Sequence, residues 1–575
     1  MIDLICAGRA MVDLYCDQVG SPLTEAQSLS MYVGGCPANV AVGTARLGLQ
    51  VAMLTRVGDD TTGRFLKRTL EREGVDASRV RPDPQARTPM VMAEIQPPDR
   101  FSLTWYRERA ADLCLQPEDF DPEWLGTARA LLVSGHSMST EAAARVAQEL
   151  VRQAREAGLK VVYDIDFRPL LWKRPDVQEA LCAPLPFADL VVGTEEEYAA
   201  TGDRVRELAP QATWVLKLGP RGARAAEPGQ EPVEEAGFPV EVLNTLGAGD
   251  AFLSGFLFAW LDGLALEQCL RFGNANGALV VTRHGCAPAM PYRDELLHFM
   301  TRTVTGPHRA RPDRDPSLNR LHAAGALPPA RSKLFALALD HRTWFAQRCK
   351  DFGRIREFKR AACEAAAERA RAGGWADSLG FILDGLFAEE ALQWAEREGY
   401  WVAQCLEQSN SYPLQIEGCD PALALRARPR GRAVKLLAYW DFGAASVVVH
   451  QTDVLHQVQA ACHAYSREFL LEILRRDQAR AVHQEVSALV RAGLRPDWWK
   501  LPVPDGEVDP VLFKRIGEDP CSRGILWLGG GEPLEELEAR FAGLSGLGPS
   551  RGFAVGRTVF EAPFHAFLAG TPARE

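Results

Sequence analysis

No apolar stretch in this chain is long enough to cross a bilayer, which takes roughly 20 residues. The most apolar window, GFLFAWLDGLAL, is interrupted by Asp262. The amino terminus, MIDLICAGRAMVDLY, lacks the basic start and long apolar stretch of a secretory signal. C-x-x-C pairs are absent as well. The 13 cysteines are scattered and odd in number, which fits reduced thiols in a cytosol, most of them small core residues, better than a disulfide framework. Nor is there a surplus of positive charge: the formal net charge is -10, so small-molecule chemistry is expected and neither a nucleic-acid nor a membrane partner. Short internal repeats and low-complexity tracts are missing too. Together these absences predict a soluble, cytoplasmic, globular protein.

A length of 575 residues exceeds what one hydrophobic core organises, so two large domains are expected. Between Thr305 and Ser332 apolar periodicity lapses while prolines and arginines accumulate, in TGPHRARPDRDPSLNRLHAAGALPPARS. The expected organisation is one domain over residues 1–305, a linker over 306–331 and a second domain over 332–575. Short apolar runs alternate with helix-like segments on both sides, so each domain reads as α/β.

In the first domain NTLGAGDAF places Gly247, Ala248 and Gly249 ahead of a buried-type helix. Backbone N–H groups at such a helix start carry partial positive charge and suit a phosphate. Asp250 is then out of place beside an anion unless it takes a proton from an attacking hydroxyl; the alternative is that it only caps the helix. A second glycine-rich turn, GGCPANVAVGTARLG from Gly34 to Gly48, leads into a small-residue helix carrying Asn39.

This pair of motifs, over about the first 300 residues, resembles the two signatures of the ribokinase-like, or PfkB, sugar kinases. The resemblance implies ATP and Mg2+ as cofactors, Asp250 as catalytic base, and Gly247, Ala248 and Gly249 as the anion hole. Asp13, Gly34, Gly35 and Asn39 would hold the sugar. Lys217, Gly219 and Gly222 in TWVLKLGPRGA would lie on the nucleotide side, and Asn276 in FGNANGAL would line the adenine pocket. The magnesium-associated pattern N-x-x-E is met as GTEE, giving Glu196 with Gly193 in place of the asparagine, and Asn244 stands where an aspartate usually opens the second signature. FSLTWYRERAADL, with Tyr106 and Arg107, and YDIDFRPLLW, with Arg168, resemble the branch acting on keto sugar acids; an arginine is well shaped to grip a carboxylate, although a surface salt bridge is its commoner use.

In the second domain the runs LFALALD, FILDGLF, WVAQCLE, VKLLAYWD, FLLEIL, WWKLPV, ILWLGGG and GFAVGRTVF recur with helical segments between them. Their number and the remaining length fit a (β/α)₈ TIM barrel, typically ~250 residues. Asp340, Lys435, Glu472 and Lys500 interrupt these otherwise apolar strands. Buried charges must pair or neutralise one another. A lysine held near another cation in an apolar barrel loses basicity and becomes an amine nucleophile; the alternative is a structural ion-pair cluster. HQTDVLHQVQAACH offers His450, His456 and His463, but their spacing does not gather them on one helix face for zinc.

The strand segments resemble class I aldolases of the tagatose-bisphosphate type. That resemblance implies Lys500 as the Schiff-base lysine, Lys435 as its electrostatic neighbour, Glu472 as a proton shuttle and Asp340 as a polar partner of substrate, with no added cofactor. Gly529, Gly530 and Gly531 after the seventh run, and Gly556 and Arg557 after the eighth, lie where barrels commonly bind a phosphate. The two resemblances together imply consecutive steps, as in the lower myo-inositol pathway. A keto-deoxy sugar acid, 5-dehydro-2-deoxy-D-gluconate, is phosphorylated at O6 and then cleaved to dihydroxyacetone phosphate and malonate semialdehyde. The rival reading keeps a keto-deoxy sugar acid kinase, such as one for 2-keto-3-deoxygluconate, and makes the barrel a non-catalytic module. The expected partners are that small keto sugar acid and further copies of the chain in a homo-oligomer.

Overall fold

The computed structural model describes residues 1–172, 174–301, 310–418, 420–440, 445–476, 482–504, 509–544 and 548–572. The chain divides into two compact units, Met1–His322 and Ala323–Glu575.

The strands of the first unit are β1 (Ile2–Ala7), β2 (Met11–Cys16), β3 (Leu29–Gly34), β4 (Val51–Gly58), β5 (Val80–Asp83), β6 (Met90–Gln96) and β7 (Arg100–Tyr106). They continue with β8 (Ala128–Ser134), β9 (Lys160–Asp164), β10 (Leu190–Thr194), β11 (Thr213–Lys217), β12 (Ala223–Ala226) and β13 (Val233–Glu235). Nine of them form one sheet in the order β13-β12-β11-β10-β9-β8-β1-β4-β5. From β11 to β5 every pairing is parallel. Such strands are apolar on both faces because helices cover both. Along β1, Leu4 and Cys6 enter one core while Ile5 and Ala7 enter the other.

The four remaining strands make a separate sheet, β3-β2-β6-β7. It is covered on one side only: along β6, Val91, Ala93 and Ile95 are buried and their neighbours are not. In the main sheet the strand order reverses at β1, flanked by β8 and β4, so the carboxyl ends around it open a crevice where ligands of such folds bind.

The second unit is a closed barrel of eight parallel strands: β14 (Leu334–Ala338), β15 (Leu379–Leu383), β16 (Trp401–Cys405), β17 (Ala433–Trp440), β18 (Phe469–Arg475), β19 (Trp498–Pro502), β20 (Gly524–Leu528) and β21 (Ser550–Val555). Each of the eight apolar runs read from the sequence supplies one strand. Leu334, Ala336, Ile382, Ala403, Leu470, Trp498 and Leu526 pack in one buried cluster. At the amino-terminal end, Glu468 Oε2 accepts from Trp401 Nε1 at 2.8 Å and Trp498 Nε1 at 2.7 Å, and Arg523 lies 3.2 Å from Oε1.

The expected linker is not loop throughout. Residues 306–309 lie outside the described residues, but Pro316–Gly325 is a helix whose Leu318 joins Phe299 and Leu296 in a core of the first unit. His322 holds it there, 2.9 Å from Glu295 and 3.0 Å from the Pro288 carbonyl. Among the described residues no helix is long and apolar enough to cross a membrane. The described cysteines are unpaired, and all but Cys114 are buried.

Candidate active sites

The first site is built on the start of the helix Ala248–Leu261. Its N-cap, Gly247, has φ 82°, and a Cβ there would stand 2.7 Å from Cys286 Sγ, so glycine is required. Asn244 fixes the approach by accepting from Leu246 N–H at 3.0 Å and donating to Arg283 O at 2.7 Å, two roles a carboxylate cannot combine. The first N–H groups of a helix have no acceptor within it. Lys217 Nζ adds a full charge, 3.4 Å from where a Gly249 Cβ would be. Burial opposes that charge, but Asp164 at 3.2 Å and Glu197 at 3.7 Å outweigh it and raise the lysine's proton affinity. This end of the pocket favours an anion.

Asp250 faces the same space and accepts from Asn39 Nδ2 at 2.7 Å. Burial, then Asp166, raise its pKa against the pull of Asn39, Arg168 and Arg9, which makes it a better proton acceptor than an exposed carboxylate. Burial carries Asp13 up to about 7, with Arg9 pulling down and Asp250 pushing up. The Gly34–Gly35 turn lies directly on these groups: a Cβ on Gly34 would fall 1.9 Å from Asp13 Oδ1, and one on Gly35, at φ 97°, 2.6 Å from Arg9 O.

Several sequence expectations shift. Glu196 is exposed, and the neighbouring Glu197 turns inward to cap the helix Glu195–Ala200 and approach Lys217. Asn276 is fully buried and donates to Ala251 O at 2.7 Å, joining two helices. Tyr106 is 53% exposed, whereas the adjacent Arg107 is buried against Asp112 at 2.8 Å. Arg168 is half exposed and held by Asp166 at 3.2 Å. Gly219 and Gly222, at φ 60° and 103°, turn the chain between β11 and β12 after Lys217. Arg9, Cys36, Asp112 and His136 were not anticipated; Cys36 Sγ lies 3.1 Å from Asp164 and near Asp250.

The second site lies inside the barrel. Lys435 on β17 is 2.8 Å from Asp340, 3.0 Å from Glu407 and 3.0 Å from Glu472. Lys500 on β19 is 2.9 Å from the same Glu472 oxygen. Strand register brings them together, since Glu472 on β18 stands opposite Lys500 on one side and Leu437 on the other. Lys435 and Lys500 are only 2% and 4% exposed. The expectation that paired lysines depress each other's basicity does not describe Lys435. Burial works against its charge, but Asp340, Glu407 and Glu472 raise its proton affinity well above the usual range. Lys435 and Lys500 in turn overcome burial to hold Asp340 well below the carboxylate range and Glu472 below it. Glu407, raised by burial, is the most readily protonated of the three.

At the rim, Arg557 opens the helix Arg557–Leu568 and donates to Gly530 O at 3.4 Å; a Cβ on Gly531 would touch its guanidinium at 3.3 Å. Gly556 sits where a Cβ would meet Ala338 O and His341 Cε1, both at 2.7 Å. Gly529 packs on Leu537 and serves the turn. Glu407 and His341 are not among the expected site residues, although Glu407 ends the run WVAQCLE and His341 directly follows the run LFALALD. Burial brings His341 down to about 4, so it is neutral beside Asp340 at 3.6 Å. His450 and His456 contact backbone carbonyls at 3.2 and 3.0 Å, and with His463 they form no metal-type cluster among the described residues.

A glycine turn and lysine for phosphate, facing a carboxylate of raised proton affinity at the carboxyl edge of a doubly wound sheet, define the first unit as a ribokinase-like phosphotransferase. Residues 1–293 match the pfkB family of carbohydrate kinases, and the chain belongs to that family. Residues 295–573 match a family described as an uncharacterized protein conserved in bacteria, DUF2090. Among its relatives, the 5-dehydro-2-deoxygluconokinase of Shouchella clausii is 35% identical over 309 residues, covering 51% of this chain and 94% of that one. That of Halalkalibacterium halodurans is 33% identical, covering 53% and 96%. Of solved structures, a PfkB protein from Polaromonas sp. JS666 is 31% identical with TM-score 0.46, covering 52% of this chain and 99% of its own. Fructokinase with bound ATP from Xylella fastidiosa is 29% identical with TM-score 0.48, covering 52% and 98%.

Proposed function

We propose that this protein phosphorylates 5-dehydro-2-deoxy-D-gluconate at O6 with ATP and then cleaves the product in its barrel. Asp250 takes the proton of the O6 hydroxyl, and the oxygen attacks the terminal phosphorus as its bond to the bridging oxygen breaks and ADP leaves. Charge on the transferring group is met by the Gly249 N–H and by Lys217, while the Ala248 N–H donates to Thr245 O at 3.2 Å. Asp164 and Glu197 offer the hard oxygen donors that suit Mg2+, which would neutralise phosphate charge there. The substrate is suggested by the names of the relatives over the first unit.

For the second step, the observation that carries the reading is the buried chain Lys500–Glu472–Lys435. Lys500 passes a proton to Glu472 and adds through its amine to the C5 ketone. Loss of water leaves an iminium. A base removes the C3 hydroxyl proton, the C3–C4 bond breaks, and its electrons flow into the iminium. Malonate semialdehyde departs; protonation and hydrolysis then release dihydroxyacetone phosphate. Arg557 and the Gly530–Gly531 turn would hold the phosphate, a role supported by their mutual contact at the barrel rim.

The test is a coupled assay with the keto acid and ATP, reading triose phosphate, together with borohydride trapping. A covalent adduct on wild-type protein, lost in Lys500→Met, is expected. Phosphorylation without triose phosphate or adduct leaves the rival reading, a keto-deoxy sugar acid kinase with a non-catalytic barrel. That reading is favoured by the same ion pairs, which also serve as a structural cluster. Assaying 2-keto-3-deoxygluconate alongside decides which acid is the substrate.

A further inference from the structure

Among the buried side-chain nitrogens of the first unit with no hydrogen-bond partner among the described residues are Arg9 Nε and Nη1, Arg107 Nη1 and His136 Nδ1. Arg9 is 5% exposed, His136 1% and the Arg107 side chain 9%. They arrive from three elements. Arg9 follows β1 beneath Gly35, Arg107 follows β7, and His136 lies in the turn after β8. Each guanidinium is fixed by one carboxylate, Arg9 by Asp166 at 2.9 Å and Arg107 by Asp112 at 2.8 Å.

His136 contacts the second of them and lies within the electrostatic reach of the first. Its Nε2 lies 2.9 Å from Arg107 Nη2. An arginine can only donate, so Nε2 accepts and the ring proton resides on Nδ1. Burial, then Arg9, then Arg107 hold the imidazole well below its usual pKa, which keeps it neutral. All four of these nitrogens are therefore donors, and three belong to the permanent cations Arg9 and Arg107. The adjacent Gly34 and Gly35 lie against Asp13 and the Arg9 backbone, and Arg9 acts electrostatically on both Asp13 and Asp250. Buried donors left without acceptors are costly, and an anionic oxygen pair relieves that cost.

We propose that Arg9, His136 and Arg107 form the subsite for the substrate's carboxylate, with Arg9 its central cation. This rests on the keto-acid kinase reading and assigns the acid recognition to Arg9 and His136, with Arg107, and not to the exposed Tyr106 or Arg168. Asp13 Oδ1, itself without a donor among the described residues, is left to take a substrate hydroxyl.

The experiment compares the keto acid with its C1 carboxamide as kinase substrates. Arg9→Lys keeps a cation beside Asp166 but loses the planar set of donors. It should raise KM for the acid by about 10- to 100-fold and for the amide by less than about threefold, with kcat little changed. His136→Leu should act in the same direction. His136→Gln, which can accept from Arg107 and donate onward, should restore most of the loss. Melting temperature reports that each variant is folded. Equal penalties on acid and amide, or none, in variants that fold overturn the subsite while leaving the kinase reading intact. A wild-type enzyme that prefers the amide overturns the acid-substrate reading and the subsite with it.

Discussion

Replacing Lys435 by methionine removes the one cation that touches three buried carboxylates, Asp340 at 2.8 Å and Glu407 and Glu472 at 3.0 Å. Breaking a buried pair by deleting one partner costs about 3–5 kcal/mol. For a unit of this size 1 kcal/mol is about 2–4 °C, so the barrel transition should fall by about 6–20 °C at pH 7.5. The sign with pH is fixed by the acids. In the wild type Asp340 and Glu472 have depressed folded pKa values, so their stabilisation is present above the unfolded carboxylate range and is lost only in acid below it. In Lys435→Met burial dominates, their folded pKa values rise, and the variant is penalised most where the unfolded acids are ionised. Scanning calorimetry of the full chain at pH 7.5 and 5 should show the deficit shrinking by at least half at the lower pH. A deficit equal or larger at pH 5 would refute the charge assignment of the cluster.

Asp250→Asn keeps the contact with Asn39 but removes the proton acceptor, so kinase kcat should drop by about 10²–10⁴-fold while cleavage of pre-phosphorylated substrate is unchanged. Asp13→Asn should raise the melting temperature of the ligand-free protein at pH 8 but not at pH 5. Burial lifts the Asp13 pKa to about 7, so folded-state ionisation costs stability as pH rises from the unfolded carboxylate range to that value. Unchanged melting at pH 8 would contradict it. Asn276→Ala should destabilise the first unit by about 1–3 kcal/mol without changing KM for ATP, because the side chain joins two helices; a selective rise in KM would restore the adenine-pocket role.

The barrel was legible because strands covered on both faces read as continuous apolar runs, and the charged interruptions Asp340, Lys435, Glu472 and Lys500 do meet in space. Glu407 stayed hidden because it sits two residues beyond β16, where a charge reads as ordinary loop. Glu196 follows from reading GTEE as the N-x-x-E pattern, which does not single out the inward-turned Glu197 next to it. The capping box from Thr194 to Glu197 was the available signal, since it fixes which side chain folds back. Asn276 and its neighbour Asn274, which donates to Glu235 O at 2.9 Å, are two residues apart and so about 200° around the helix, and sequence alone does not say which faces the partner helix. Arg9 had no motif around it; only the convergence of three distant loops reveals it. In the expected linker, Pro312 and Pro316 read as breakers but stand at the first positions of helical turns, where proline is well tolerated.

The indole pair clamped on Glu468, with Arg523 behind it, makes the barrel a vessel with a sealed floor. Substrate for Lys500 is therefore expected at the opposite, carboxyl-terminal mouth, where barrel enzymes bind. In the proposed cleavage both products share that mouth, the fragment lacking nitrogen linkage leaving before hydrolysis frees the other.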